Sequence, residues 1–167
     1  MSSDALVMAK AEELLEACRQ NGLKLATAES CTGGLVAGAI TSIAGASEVF
    51  QAGFVTYSNE TKTRLIGVPA DLISAHGAVS EEVARAMCEK TLAVTGADIA
   101  LAVTGIAGPD GGSAEKPVGL VHIAAARRGH PTLHRKLLLG NPGRDQIRLR
   151  SVAEILRLGH VQAMALP

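Results

Sequence analysis

The chain has 167 residues with 16 Lys+Arg against 16 Asp+Glu, so its formal net charge is zero, and 47% of its residues are hydrophobic. That length suits one domain, expected to run 1–167, and it is large enough to close a packed core rather than stay disordered. Balanced charge removes the electrostatic footprint of a duplex nucleic-acid binder, and an aromatic content of 2% (Phe50, Phe54 and Tyr57) leaves little surface to stack on single strands.

The first element is an amphipathic helix over 3–21, with Leu6, Val7, Leu14, Leu15 and Cys18 at helical spacing. Ser3 or Asp4 can cap it, and Asn21-Gly22 ends it. Residues 23–28 (LKLATA) alternate and predict a strand, and 33–44 (GGLVAGAITSIA) predict a small-residue helix suited to close packing on a sheet. A second strand follows at 49–57, then a short helix at 58–66 that stops at Gly67-Val68-Pro69. Ser80 is a good N-cap for a helix over 80–94, with Glu81 and Glu82 favourable to its dipole. The continuous apolar run 98–103 (DIALAV) reads as a buried parallel strand. After a glycine-rich loop, 118–126 and 131–139 read as a hairpin, and Asn141-Pro142 opens a last helix reaching about Met164, with proline at its first position. Strands alternating with helices and then a hairpin predict a three-layer α/β/α sandwich with a mixed, mostly parallel sheet.

Cys18, Cys31 and Cys88 are odd in number and widely spaced, which argues against a disulfide framework or a zinc site and for a reducing cytoplasm. The first residues lack the apolar stretch of a signal peptide. No apolar run approaches the roughly 20 residues that span a bilayer, so no membrane partner is expected.

Three polar loops follow three predicted strands: Glu29–Gly34, Tyr57–Lys62 and Thr104–Gly112. If those strands are parallel, the loops meet at their carboxyl ends, where open α/β sheets place ligands. In the first loop Ser30 lies between a strand and a helix, where the amides of Cys31, Thr32 and Gly33 can face a phosphate or the oxyanion beside an attacking Ser30 hydroxyl. A plain helix cap at Ser30 or Thr32 explains the same residues. Cys31 is a rival nucleophile, because a helix N-terminus lowers a thiol pKa.

The five histidines sit in no motif tied to Ser30, and His130 and His134, four apart in a strand, are too distant to share a metal. Lys62 is the better base, if a helix N-terminus and burial depress its ammonium pKa; a solvated surface lysine is the alternative. Tyr57 can orient a group through its hydroxyl or merely pack its ring. The glycines from Gly105 to Gly112 allow close backbone approach to a ligand, and Asp110 can hold a ribose hydroxyl or shape a turn. Arg144 falls in the first turn of the last helix, where a cation opposes the dipole unless an anion binds there. No acidic cluster suggests an obligatory metal, and no nucleotide-cofactor motif is matched.

Several stretches together resemble the CinA C-terminal domain family, the nicotinamide-nucleotide amidases: AESCTGGLVAGAIT (28–41), FVTYSNETK (54–62), GAVSEEVA (77–84), ALAVTGIAGPDGG (100–112), KPVGLVHIA (116–124) and GRDQIR (143–148). The resemblance runs from about Leu6 to Val161. It implies a three-layer domain that hydrolyses the carboxamide of nicotinamide mononucleotide to nicotinate mononucleotide and ammonia; no cofactor is expected. It also implies Ser30 as nucleophile, Lys62 and Tyr57 in its activation, and Thr104 in the site. Oxyanion and substrate contacts then fall to Cys31, Thr32, Gly33, the loop starting at Thr104-Gly105, and Arg144. The expected partner is a small nucleotide, with a homo-oligomer left open. A non-catalytic nucleotide-binding module and a competence-related regulatory protein are the alternatives.

Overall fold

The computed structural model describes residues 1–167. Six α-helices and five strands follow in the order α1 (Ser3–Gln20), β1 (Leu25–Glu29), α2 (Leu35–Thr41), β2 (Phe50–Val55), α3 (Asn59–Ile66), α4 (Ala70–His76), α5 (Glu81–Thr95), β3 (Ile99–Gly105), β4 (Leu120–Arg127), β5 (Leu133–Leu138) and α6 (Arg144–Ala163). The strands form one sheet in the order β2-β1-β3-β4-β5. β1 pairs in parallel with both β2 and β3, while β4 runs antiparallel to β3 and β5. Four of the five strands therefore point the same way, as the mixed, mostly parallel sheet requires.

The two faces of the sheet carry different residues. Leu25, Ile99, Leu101, Val103, Val121 and Ile123 face one core, shared with α1, α2 and α6. Ala28, Ala100, Ala102, Ala124 and Ala126 face the other, with Val83, Met87 and Cys88 of α5. The alanines let α5 lie close to the sheet, and the larger residues fill the space under α1 and α6. α6 is anchored at its far end by Arg127 of β4, whose guanidinium donates to the carbonyls of Gln162 (2.9 Å) and Ala163 (3.1 Å).

The boundaries depart from expectation where backbone conformation or a neighbouring cap decides. Ser2, rather than Ser3 or Asp4, caps α1 and accepts from the Ala5 amide. α2 starts at Leu35 because Gly33 and Gly34 hold φ of +56° and +104°, which no helical turn accommodates. Gly143, at φ +104°, is the N-cap of α6, so Pro142 stands before the cap instead of opening the helix. α4 was not expected from sequence. It has seven residues, no side-chain cap and one buried residue, Ile73, so it carries almost no periodic signal.

Chain order sets the position of the site. From β1 the chain moves to β2 on one side of the sheet and then crosses to β3 on the other. The crevice between β1 and β3 at their carboxyl ends is thus a topological switch point. Ser30 follows β1, Tyr57 follows β2 and Thr104 is the penultimate residue of β3.

Candidate active site

A cavity of about 290 Å³ opens at that edge. Ser30 and Cys31 line it from the first loop, Tyr57, Asn59 and Lys62 from the second, and Thr104, Gly105, Ala107, Gly108 and Asp110 from the third. Ala78 and Val79, just before α5, and Arg144 of α6 complete the wall. Gly105 has no room for a side chain: a Cβ would stand 2.9 Å from the Leu120 carbonyl oxygen and 2.7 Å from Val121 Cγ2.

Lys62 is the central charge. Its side chain is only 1% exposed and has no carboxylate within ion-pair distance, which is rare for lysine. Nζ lies 3.1 Å from Ser30 Oγ, 2.8 Å from the Thr56 carbonyl and 3.4 Å from the Tyr57 carbonyl. Burial lowers its pKa to about 8. The depression comes from desolvation, which outweighs the opposing influence of Cys31. A neutral amine has two N–H donors and one lone pair. In that form the two carbonyls can take the donors and leave the lone pair for the Ser30 hydroxyl, whereas the ammonium donates to Ser30 Oγ.

Cys31 is not an activated thiol. Burial pushes its pKa up to about 11, opposed only in part by its own backbone amide, Arg148 and Lys62. Desolvation outweighs the lowering expected from α2, and the N-terminus of that helix is already occupied. Glu29, 1% exposed, accepts from the amides of Val36 (2.8 Å) and Ala37 (3.1 Å). The anion that the sequence placed at this helix is therefore a carboxylate of the chain itself.

The three amides expected to face a ligand are not equivalent. Gly33 N–H donates to the Ser30 carbonyl at 3.0 Å, so it is spent within the turn. The N–H groups of Cys31 and Thr32 donate to no other group of the chain. Thr32 and Gly33 lie outside the cavity wall, and Thr32 Oγ1 is buried without a partner. In the third loop the amides of Ala107, Gly108, Asp110 and Gly111 are likewise unengaged, and all four residues line the cavity.

Arg144 reaches across the mouth. Its guanidinium donates to the Gly108 carbonyl at 2.6 Å and to the Tyr57 hydroxyl at 3.1 Å. No carboxylate pairs with it, neither Asp145 nor Glu154. Tyr57 thus touches Lys62 through its carbonyl and Arg144 through its hydroxyl. Thr104 donates from its hydroxyl to the Ala78 carbonyl at 2.9 Å, which ties β3 to the opposite wall.

Residues 8–161 match the profile of the CinA C-terminal domain. The chain belongs to that family. It is 46% identical over 156 residues to a nicotinamide-nucleotide amidohydrolase, PncC, of Escherichia coli, which covers 93% of each chain. A CinA-like protein of Geobacter sulfurreducens is 61% identical over 110 residues, 66% of this chain but 27% of that protein. The chain spans about a third or less of such longer relatives. Among solved structures, the competence/damage inducible protein CihA of Agrobacterium tumefaciens superposes with a TM-score of 0.89 at 46% identity, covering 92% of this chain and 93% of that one.

Two charged residues of this CinA domain carried no assigned role in the sequence reading. Glu29 and Arg148 both sit inside the family-like stretches, but nothing in their spacing shows that they brace the Ser30 loop. Ala78 and Val79 are apolar and carry no chemical signal at all. The histidines also hid a pairing: His122 Nδ1 and His134 Nε2 are 2.9 Å apart, with His134 Nδ1 3.5 Å from Glu81. Burial pushes the pKa of His122 down to about 4 and that of His134 down as well, so both rings are neutral near pH 7. No helix is long and apolar enough to cross a membrane.

Proposed function

We propose that this CinA domain is an amidase that hydrolyses the carboxamide of nicotinamide mononucleotide, with Ser30 as nucleophile and neutral Lys62 as its base. The observation that carries the reading is the set of three partners around Lys62 Nζ: two carbonyls and the Ser30 hydroxyl. The name of the E. coli relative supplies the substrate.

In the first step Ser30 Oγ attacks the carboxamide carbon and its proton passes to Lys62 Nζ. The oxyanion is stabilised by the Cys31 amide, which donates to no other residue, and by the amides of Ala107 and Gly108; a good donor of this kind contributes about 3–4 kcal/mol. The resulting ammonium returns a proton to the amide nitrogen, the C–N bond breaks and ammonia leaves. A nucleotide ester remains on Ser30. Water then attacks that ester, giving up a proton to Lys62, and the acid product departs as Ser30 regains its hydrogen.

The remaining groups hold the nucleotide. Arg144 uses two of its five N–H donors on Gly108 and Tyr57, so the others are free for a phosphate. The amides of Asp110 and Gly111 stand in the same wall. Tyr57 is the one aromatic side chain there, half-exposed, and offers its face to a pyridinium cation.

Ammonia release from nicotinamide mononucleotide, its riboside and free nicotinamide tests this reading. Fastest release is expected from the mononucleotide. Equal rates on free nicotinamide would remove the phosphate contacts, and no release from any of the three would remove the amidase.

A further inference from the structure

We propose that Arg148 is a positioning residue for the nucleophile: it locks the turn that carries Ser30, without touching the substrate. The proposal rests on the serine-amidase reading above.

Arg148 lies one turn after Arg144 on α6 and reaches the back of the Ser30 loop. Its Nε donates to the Cys31 carbonyl at 3.1 Å and its Nη2 to the Thr32 carbonyl at 3.4 Å. It is half-buried, makes no ion pair and does not line the cavity. A cation placed at i+4 from another near a helix N-terminus is unfavourable, so an exposed-surface role does not explain it.

Consider the successive peptides of the turn. The Ser30 carbonyl is held by the Gly33 amide, and the Cys31 carbonyl is held by Arg148. In a trans peptide the carbonyl and N–H point in opposite directions. Holding these two carbonyls therefore turns the N–H groups of Cys31 and Thr32 away from them, and neither donates to another residue of the chain. Ser30 itself is fixed on its other side, where its amide donates to the Val103 carbonyl at 2.9 Å. Glu29 secures the far end of the loop on Val36 and Ala37. Arg148 is the one side chain that bonds the middle of the turn. Two donors in a rigid fork span successive carbonyls, which a lysine cannot do.

The test compares Arg148→Lys and Arg148→Gln with wild type. Because misplacement of a reacting group by about 1 Å can cost roughly 100-fold, kcat is expected to fall about 10- to 100-fold in both. KM for nicotinamide mononucleotide should stay within about 3-fold, and the pH midpoint assigned to Lys62 should not move. Phosphonylation of Ser30 by a fluorophosphonate probe should slow by a similar factor. A rise in KM at unchanged kcat would make Arg148 a ligand contact and overturn the proposal. Wild-type turnover and labelling in the lysine variant would overturn it too. If the glutamine variant does not fold, the lysine variant decides alone by the same criteria. If wild type releases no ammonia, the amidase reading fails, and the labelling rates still decide the role of Arg148.

Discussion

Ser30 Oγ and Lys62 Nζ stand 3.1 Å apart although 32 positions separate them in the chain. β1 and β2 are adjacent and parallel, so the residue after β1 and the helix after β2 emerge side by side. The short link from Thr56 to Ser58 turns Lys62 inward under the loop. Ser58 caps α3 by accepting from the Thr61 amide at 3.2 Å, which sets the helix register and so the direction of Lys62.

Removal of the nucleophile separates Ser30 from its neighbour. Ser30→Ala is expected to lower kcat by several orders of magnitude, whereas Cys31→Ala, a buried thiol held protonated, should change it less than about 10-fold. Ammonia-release kinetics on both variants check the ranking, and the reverse order would make Cys31 the nucleophile.

The pH dependence of turnover follows from Lys62. Its pKa of about 8 means that the neutral base forms as pH rises, so kcat/KM should climb through pH 7, reach half its maximum near pH 8 and level off about one pH unit higher. Lys62→Arg keeps the charge but stays protonated, and should be inactive across this range with its fold intact. A flat profile in wild type, or near-normal turnover in Lys62→Arg, would show that Lys62 is not the base.

The same burial predicts a stability effect. The folded pKa of Lys62 is depressed below 10.5, so the unfolded chain binds the extra proton between about pH 8 and 10.5 and stability rises with pH across that window. Below pH 8 the fold carries the full cost of the buried ammonium. Lys62→Met should therefore raise stability at pH 7 by roughly 1–3 kcal/mol, less whatever the unpartnered Thr56 carbonyl costs. The gain should shrink towards pH 10.5, which urea unfolding at several pH values measures.

Arg144 and Tyr57 should act on binding. Arg144→Ala is expected to raise KM for the mononucleotide about 10- to 100-fold with a smaller change in kcat. The riboside, lacking phosphate, should be a poor substrate and almost insensitive to the change. Tyr57→Phe loses only the hydroxyl bonded to Arg144 and should raise KM by a few-fold while leaving the Lys62 pH midpoint in place. A large kcat loss in Tyr57→Phe would instead give the hydroxyl a part in activating Ser30.

The strand and helix order, α4 apart, and the convergence of three loops were legible because apolar periodicity and glycine punctuation report them directly. Ser30 and Lys62 were legible as polar residues at those loops, and Arg144 as a cation in the first turn of the last helix. The direction of each side chain was not. Nothing in the spacing shows that Tyr57 turns its hydroxyl to Arg144 and its carbonyl to Lys62, because the packing of α6 against the loops settles that. The capping of α2 by Glu29 also escaped detection, since a glutamate seven positions before the amide it caps matches no local capping pattern. Thr32 and Gly33 sit in the right loop but do not line the cavity, a distinction that spacing does not report.

The most direct measurement locates the covalent intermediate. Wild-type protein mixed with nicotinamide mononucleotide, quenched in acid within a turnover and digested, should yield the peptide containing Ser30 carrying the nucleotide acyl group, with fragment ions placing it on Ser30. The adduct should vanish in Ser30→Ala. An adduct on Cys31, or none during demonstrable ammonia release with Ser30→Ala still active, would contradict a serine nucleophile activated by Lys62.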